Sequence, residues 1–178
     1  MALALMRFTT FADMWAKTKQ DHDLPWEAIC HSIANAPEFD SKAACPWISL
    51  AVYGPTPNEN GCLRYAKNIQ AITGLEGDYD AGDVSIDEAA SRARAGNLRA
   101  CFYTSSRHRQ LSDDGKQLGH RWRVLVPLSH EMPLTARASL LDRLNGVLGG
   151  ILTGESWNDS QAFLIGRVRG VEYRCLVT

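Results

Sequence analysis

Three carboxylates at alternate positions, Glu76, Asp78 and Asp80, follow an apolar, β-rich run that begins at Ile69 and ends at Leu75. Successive residues of a strand point to opposite faces, so this spacing sets all three acids on one face at a strand end. Like charges held side by side repel one another unless something cationic sits among them. The commonest remedy is one or two divalent ions, and Mg²⁺ prefers carboxylate oxygens. A metal held in this way usually serves phosphate chemistry. Taken alone, Asp78-x-Asp80 also fits a polar strand end running into a turn at Asp80-Ala81-Gly82, so the pattern needs support from elsewhere in the chain.

The length of 178 residues suits one domain, and an apolar fraction of 45% is enough to fill a core. A net charge of −1 gives no global attraction to nucleic acid, but the charge is unevenly spread. Between Gly74 and Ser91 there are six acids and no Lys or Arg, whereas Arg92 to Arg123 holds eight Lys/Arg against two acids. An acidic metal site beside a basic surface suits a polyphosphate or a nucleic acid. Five scattered cysteines with no C-x-x-C pair point to reduced thiols rather than a disulfide framework or a zinc site. The apolar start, Met1 to Arg7, is too short for a signal sequence or a membrane span, and the expectation is a cytoplasmic protein with no membrane partner.

Local patterns predict short helices over 11–19 and 25–36, with Pro25 at the start and Pro37 at the end of the second. Strands are expected over 48–53, 68–78, 98–105 and 120–128. Ser85 and Glu88 form a capping box that opens a helix to about residue 95. The longest helix is expected over 134–152, and a closing hairpin over 161–177 turns about Arg169-Gly170. The strand–helix–strand–strand–helix–strand order resembles a split β-α-β unit, an α+β fold with helices on one face of a mixed sheet.

Two further motifs stand at successive strands. Tyr103-Thr-Ser-Ser106-Arg-His108-Arg109 leaves the sheet with hydroxyls and an imidazole able to bond phosphate oxygens. In His120-Arg121-Trp122-Arg123, alternation puts Arg121 and Arg123 on one face and Trp122, Val124 and Val126 on the other. Two guanidiniums on one face make a clamp for triphosphate oxygens. Neighbouring strands would bring the acids, the Ser-x-His and the Arg-x-Arg to one sheet surface.

In this order the motifs resemble the archaeo-eukaryotic primase superfamily, in its plasmid- and phage-type primase-polymerase branch. The residues that carry the resemblance run from Asn68 to Asp80, from Tyr103 to His108, from Arg121 to Ser129, and from Glu155 to Gly166. The resemblance implies an RRM-like core at 63–178 behind a small N-terminal αβ part at 1–62, within one catalytic domain of a longer replication protein. It implies a two-metal site for Mg²⁺ or Mn²⁺ on Asp78 and Asp80, with Glu76 as a third carboxylate. Asp159 and Glu155 are the only acids near the place of the family's further acid. It implies nucleotide contacts from Ser106, His108, Arg121 and Arg123, with His108 counted among the catalytic residues. The single-stranded DNA template and primer would lie near Arg92, Arg94, Arg107 and Arg109. A helicase or helical primer-forming domain is the expected further partner. The rival readings are a non-catalytic nucleic-acid-binding module on the same fold and a metal-dependent nuclease. A rolling-circle nicking enzyme would need a His-x-His pair, which is absent.

Overall fold

The acid-bearing strand is the spine of the molecule. The computed structural model describes residues 4–178, so the first three residues of the apolar start lie outside what is described. In chain order the elements are β1 (Leu5–Phe11), β2 (Lys19–Pro25), α1 (Trp26–Ala34), β3 (Glu38–Phe39), β4 (Trp47–Ser49) and β5 (Ala51–Tyr53). There follow β6 (Ile69–Gly82), α2 (Ile86–Ala95), β7 (Cys101–Thr104), β8 (His120–Met132), α3 (Arg137–Leu148), β9 (Phe163–Leu164), β10 (Arg167–Val168) and β11 (Cys175–Val177).

A five-stranded sheet runs β11-β7-β8-β6-β5, and a four-stranded sheet runs β2-β1-β4-β9. The strands β6 and β7 both pair antiparallel with β8, which lies between them, and α2 connects them. That is the split β-α-β unit expected from the sequence. The helices α2 and α3 cover one face of the large sheet, where Tyr79, Phe102, Trp122 and Val124 pack with Ala89, Ala93, Leu141 and Leu148. The other face packs Cys101, Tyr103 and Leu125 against α1 and the small sheet, through Ile29, Ile33, Phe8 and Ile48.

Several expectations are corrected. The large sheet is antiparallel throughout rather than mixed, and parallel pairing occurs between β10 and β3. Residues 11–19 do not form a helix: they close a hairpin between β1 and β2. Met6 and Phe8 are buried on one face of the strand and Thr9 and Phe11 on the other, and the Asp13 side chain then accepts from the N–H groups of Trp15 and Ala16 to make the turn. The closing segment is not a hairpin either. Its pieces separate, β9 to β4, β10 to β3 and β11 to β7, so each strand pairs with a distant part of the chain. The last helix is shorter than expected because Gly149, at φ +92°, adopts the left-handed conformation that ends helices.

The run at 48–53 breaks at Leu50, and this break joins the two sheets. On one side β4 pairs with β1 and β9, and on the other β5 pairs with β6. The freed Leu50 N–H is taken by Glu76, which also accepts from Ser49 Oγ at 3.1 Å and stands 3.4 Å from Arg137 Nη2. The Leu50 carbonyl accepts from the N–H groups of Thr73 and Gly74. Gly74 allows this approach, since a Cβ there would fall 2.9 Å from the Leu50 Cβ and 2.6 Å from the Val126 carbonyl oxygen on the other side.

Glu76 and Arg137 are both 2% exposed. Removing one member of a buried pair leaves an uncompensated charge, whereas removing both need cost little. In urea denaturation, Arg137→Met is expected to lower stability by about 3–5 kcal/mol. The double variant Glu76→Gln with Arg137→Met should recover part of that loss.

Candidate active site

Along β6 the three acids point to one face, as alternation requires, but they meet different surroundings. Glu76 is sealed beneath Leu50, Asp78 is buried at 7% exposure, and Asp80 is half-buried at the strand end. Each is met by an arginine. Arg137 faces Glu76, Arg123 Nε lies 3.2 Å from Asp78 Oδ1, and Arg121 Nη1 lies 2.7 Å from Asp80 Oδ2. The register of β6 on β8 sets Asp78 directly opposite Arg123. Arg121 and Arg123 share the face of the acids, while Trp122 and Val124 turn to the helix side.

These two acid–arginine pairs lie in a cavity of about 450 Å³ between the two sheets. One wall comes from the large sheet and its loops: Asp78, Asp80, Arg121, Arg123, Ser105 and Ser106, with Arg107 at its edge. The facing wall comes from Trp47 and Phe163 of the small sheet, Gln161 just before β9, Lys42 in the turn before β4 and Arg64 in the connection from β5 to β6. The Arg64 guanidinium lies over the Trp47 ring at 5.1 Å, and that of Arg123 over Phe163 at 5.1 Å. Arg123 also donates to the Leu164 carbonyl at 2.9 Å. The cavity wall thus carries five cationic side chains against three carboxylates, the third being Glu155. Such a lining suits an anion that brings its own cation.

Burial pushes the Asp78 carboxyl up to about 6, with Arg123 opposing the rise and Asp80 and Glu155 adding to it. For Glu76, burial raises the pKa against the pull of Arg137 and the Leu50 N–H. Burial lowers the pKa of His108, which favours the neutral ring.

Sequence-predicted residues divide accordingly. Asp78, Asp80, Ser106, Arg121 and Arg123 converge on the cavity, and Arg107 borders it. Glu76 stands behind that wall, held by Leu50, Ser49 and Arg137. His108 is also behind the wall, with Nδ1 3.1 Å from both the N–H and the carbonyl of Arg121 and Nε2 3.8 Å from Glu172. It clips the loop after β7 to β8 at Arg121. Arg109 stands 3.5 Å from Glu172. Arg92 and Arg94 lie on α2, on the helix side of the sheet, where Arg92 pairs with Glu88 and the Leu148 carbonyl. Glu155 borders the cavity, and Asp159 is exposed outside its lining.

The facing wall escaped sequence reasoning. Trp47 and Arg64 sit in short, unremarkable segments, and their meeting depends on the small sheet closing over the large one. Arg137 carries no sequence mark of burial either.

No protein-family model matches the sequence, and no curated protein does. Among solved structures, the AEP domain of the primase-polymerase (PrimPol) of cyanophage S-2L matches with a TM-score of 0.51. The match is 10% identical in sequence and covers 96% of this chain and 80% of that one. The chain has that fold.

Among the described residues, no group of three or more His, Cys, Asp or Glu side chains converges to hold a metal ion. The donor set still fits a hard divalent cation. Asp78 and Asp80 offer carboxylate oxygens on one wall of a cavity, and Mg²⁺ is commonly held by one or two carboxylates completed by substrate phosphates and water.

The Asp78 shift makes a prediction for the metal-free protein. A folded-state value of about 6 exceeds the unfolded value near 3.9, so the folded chain binds more protons in between, and stability falls as pH rises across that interval. Asp78→Asn lacks this group. Between pH 4 and pH 7 the stability of the native chain should fall by about 2–3 kcal/mol relative to that of Asp78→Asn. Paired denaturation curves at the two pH values, in the presence of a chelator, measure the difference.

Proposed function

We propose that the chain is a metal-dependent nucleotidyltransferase of the primase-polymerase type, which makes or extends primers on a DNA template. The observation that carries this is the placement of an acid pair and an arginine pair, face to face on adjacent strands, at a cavity between two sheets in a fold shared with a primase-polymerase domain. The RRM-like description of the core and a role in plasmid or phage replication belong to the same proposal.

Asp78 and Asp80 would hold Mg²⁺ or Mn²⁺. When bound, such ions activate the attacking hydroxyl and neutralise charge on the triphosphate. The chain's own residues do the rest. Arg121 and Arg123 leave the aspartates and take phosphate oxygens, and guanidiniums suit that exchange because their donors match either partner. Ser105 and Ser106 donate hydroxyl hydrogen bonds to the same phosphates. Asp78, with a pKa of about 6, is a carboxylate at neutral pH and so can accept a cation once Arg123 leaves it. His108 acts as a positioning residue through the Arg121 backbone. The wall of Trp47, Arg64 and Phe163 faces the phosphate-binding groups and takes the base and sugar. The protein supplies position and field rather than covalent chemistry.

Partner exchange makes metal and triphosphate depend on each other, since each frees the residues that the other needs. In calorimetric titrations Mn²⁺ should tighten nucleoside triphosphate binding, and the triphosphate should tighten Mn²⁺ binding by the same factor. Independent affinities would contradict the exchange.

The deciding experiment is primer extension on a labelled primer–template with dNTPs or NTPs and Mg²⁺ or Mn²⁺. Extension should disappear in the Asp78→Ala, Asp80→Ala double variant while circular dichroism stays native. Extension that survives in the double variant would sink the proposal. The Asp78–Arg123 and Asp80–Arg121 pairs also suit a non-catalytic nucleic-acid-binding module, because the acids are already neutralised. That second reading predicts nucleic-acid binding indifferent to both aspartates.

A further inference from the structure

The turn between β1 and β2 exposes two large apolar side chains, Met14 at 58% and Trp15 at 64%. The turn is fixed from several sides. Asp13 Oδ1 accepts from Trp15 N–H at 2.9 Å and Ala16 N–H at 3.0 Å. Ala16 is fully buried at φ +49°, and its carbonyl accepts from Leu63 N–H at 2.9 Å. The Met14 carbonyl accepts from Arg64 Nη2 at 3.2 Å. Arg64 is the guanidinium that stacks on Trp47 and borders the cavity, so the turn is tied directly to the cavity wall.

We propose that Met14 and Trp15 form a stacking platform for a base of a single-stranded DNA running into the cavity. The ligand class rests on the nucleotidyl-transfer reading of that cavity. An indole held outward beside cationic side chains is the combination that binds single strands, with the π-face taking a base and the cations following the backbone. Here the cations are Arg64, which donates to the Met14 carbonyl and lines the cavity, and the exposed Lys17 beside the turn. A protein partner fits less well. The neighbours of Trp15 along the turn are polar or charged and exposed (Asp13, Lys17 and Thr18), so the apolar patch is two residues wide. A stable protein interface needs about 800 Å² per partner.

The test uses the full chain and fluorescein-labelled oligodeoxythymidylate in fluorescence anisotropy. Trp15→Ala should weaken binding roughly 5- to 100-fold, and Trp15→Phe should keep most of the affinity. Intrinsic fluorescence should be quenched by the oligonucleotide in the native chain and less so in Trp15→Phe. Mn²⁺-dependent binding of a nucleoside triphosphate should be the same in all three proteins, which separates this proposal from that for the cavity. Equal oligonucleotide affinity in Trp15→Ala would overturn the platform, as would failure of the native chain to bind the oligonucleotide while it still binds triphosphate. Self-association of the native chain that Trp15→Ala abolishes would assign the turn to a second copy and overturn it too.

Discussion

Three carboxylates crowded on one face of β6 would drive one another apart, and the fold answers them with three guanidiniums. Arg137 reaches Glu76 from the start of α3, and Arg123 and Arg121 reach Asp78 and Asp80 from β8. The acids run from a sealed position to a half-open one. The innermost pair acts as an internal clamp. The outer two pairs stand in a cavity. The same ion-pair chemistry is thus sealed at one end of the strand and open to a cavity at the other, where the proposed function would have it exchange.

That gradient bears on how the site is prepared. A cavity with unopposed aspartates would repel a triphosphate, and one with arginines alone would hold the triphosphate without a place for its metal. Pairing them offsets the two aspartates within a lining that stays cationic, and under the proposed function it holds both kinds of group where the ligand would meet them. The small sheet adds the wall that makes this surface a pocket, with Trp47 and Phe163 each carrying a guanidinium over its ring.

Much of this was legible in the sequence where a local rule applied. Period two gave the common face of Glu76, Asp78 and Asp80 and the opposite faces of Arg123 and Trp122. The Ser85 N-cap is present, with Glu88 N–H donating to Ser85 Oγ at 3.1 Å, but the Glu88 carboxylate pairs with Arg92 one turn on, so only half of the expected capping box forms. What could not be read depended on distant partners. The turn at Asp13 looked helical because its Phe11–Lys19 stretch carries no glycine or proline. The pieces of the final segment looked like a hairpin because their partners β4, β3 and β7 lie some 75–130 residues away. Each of the three acids also meets an arginine from another element, Arg137 at the start of α3 and Arg123 and Arg121 on β8. Nothing in a single arginine's neighbourhood along the chain announces which carboxylate it will meet.

The crossing at Leu50 has a consequence for cutting the chain. Although the small sheet is mostly N-terminal, its edge β9 comes from residues 163–164, and the large sheet takes its edge β5 from residues 51–53. Each layer therefore borrows a strand from the other's stretch of sequence. A cleavage between residues 62 and 63 would strip β5 from the large sheet and take away the N–H that Glu76 holds. Two fragments made this way would each keep an unpaired edge, and they would find their native form only by docking together, as a complementing pair rather than as two modules.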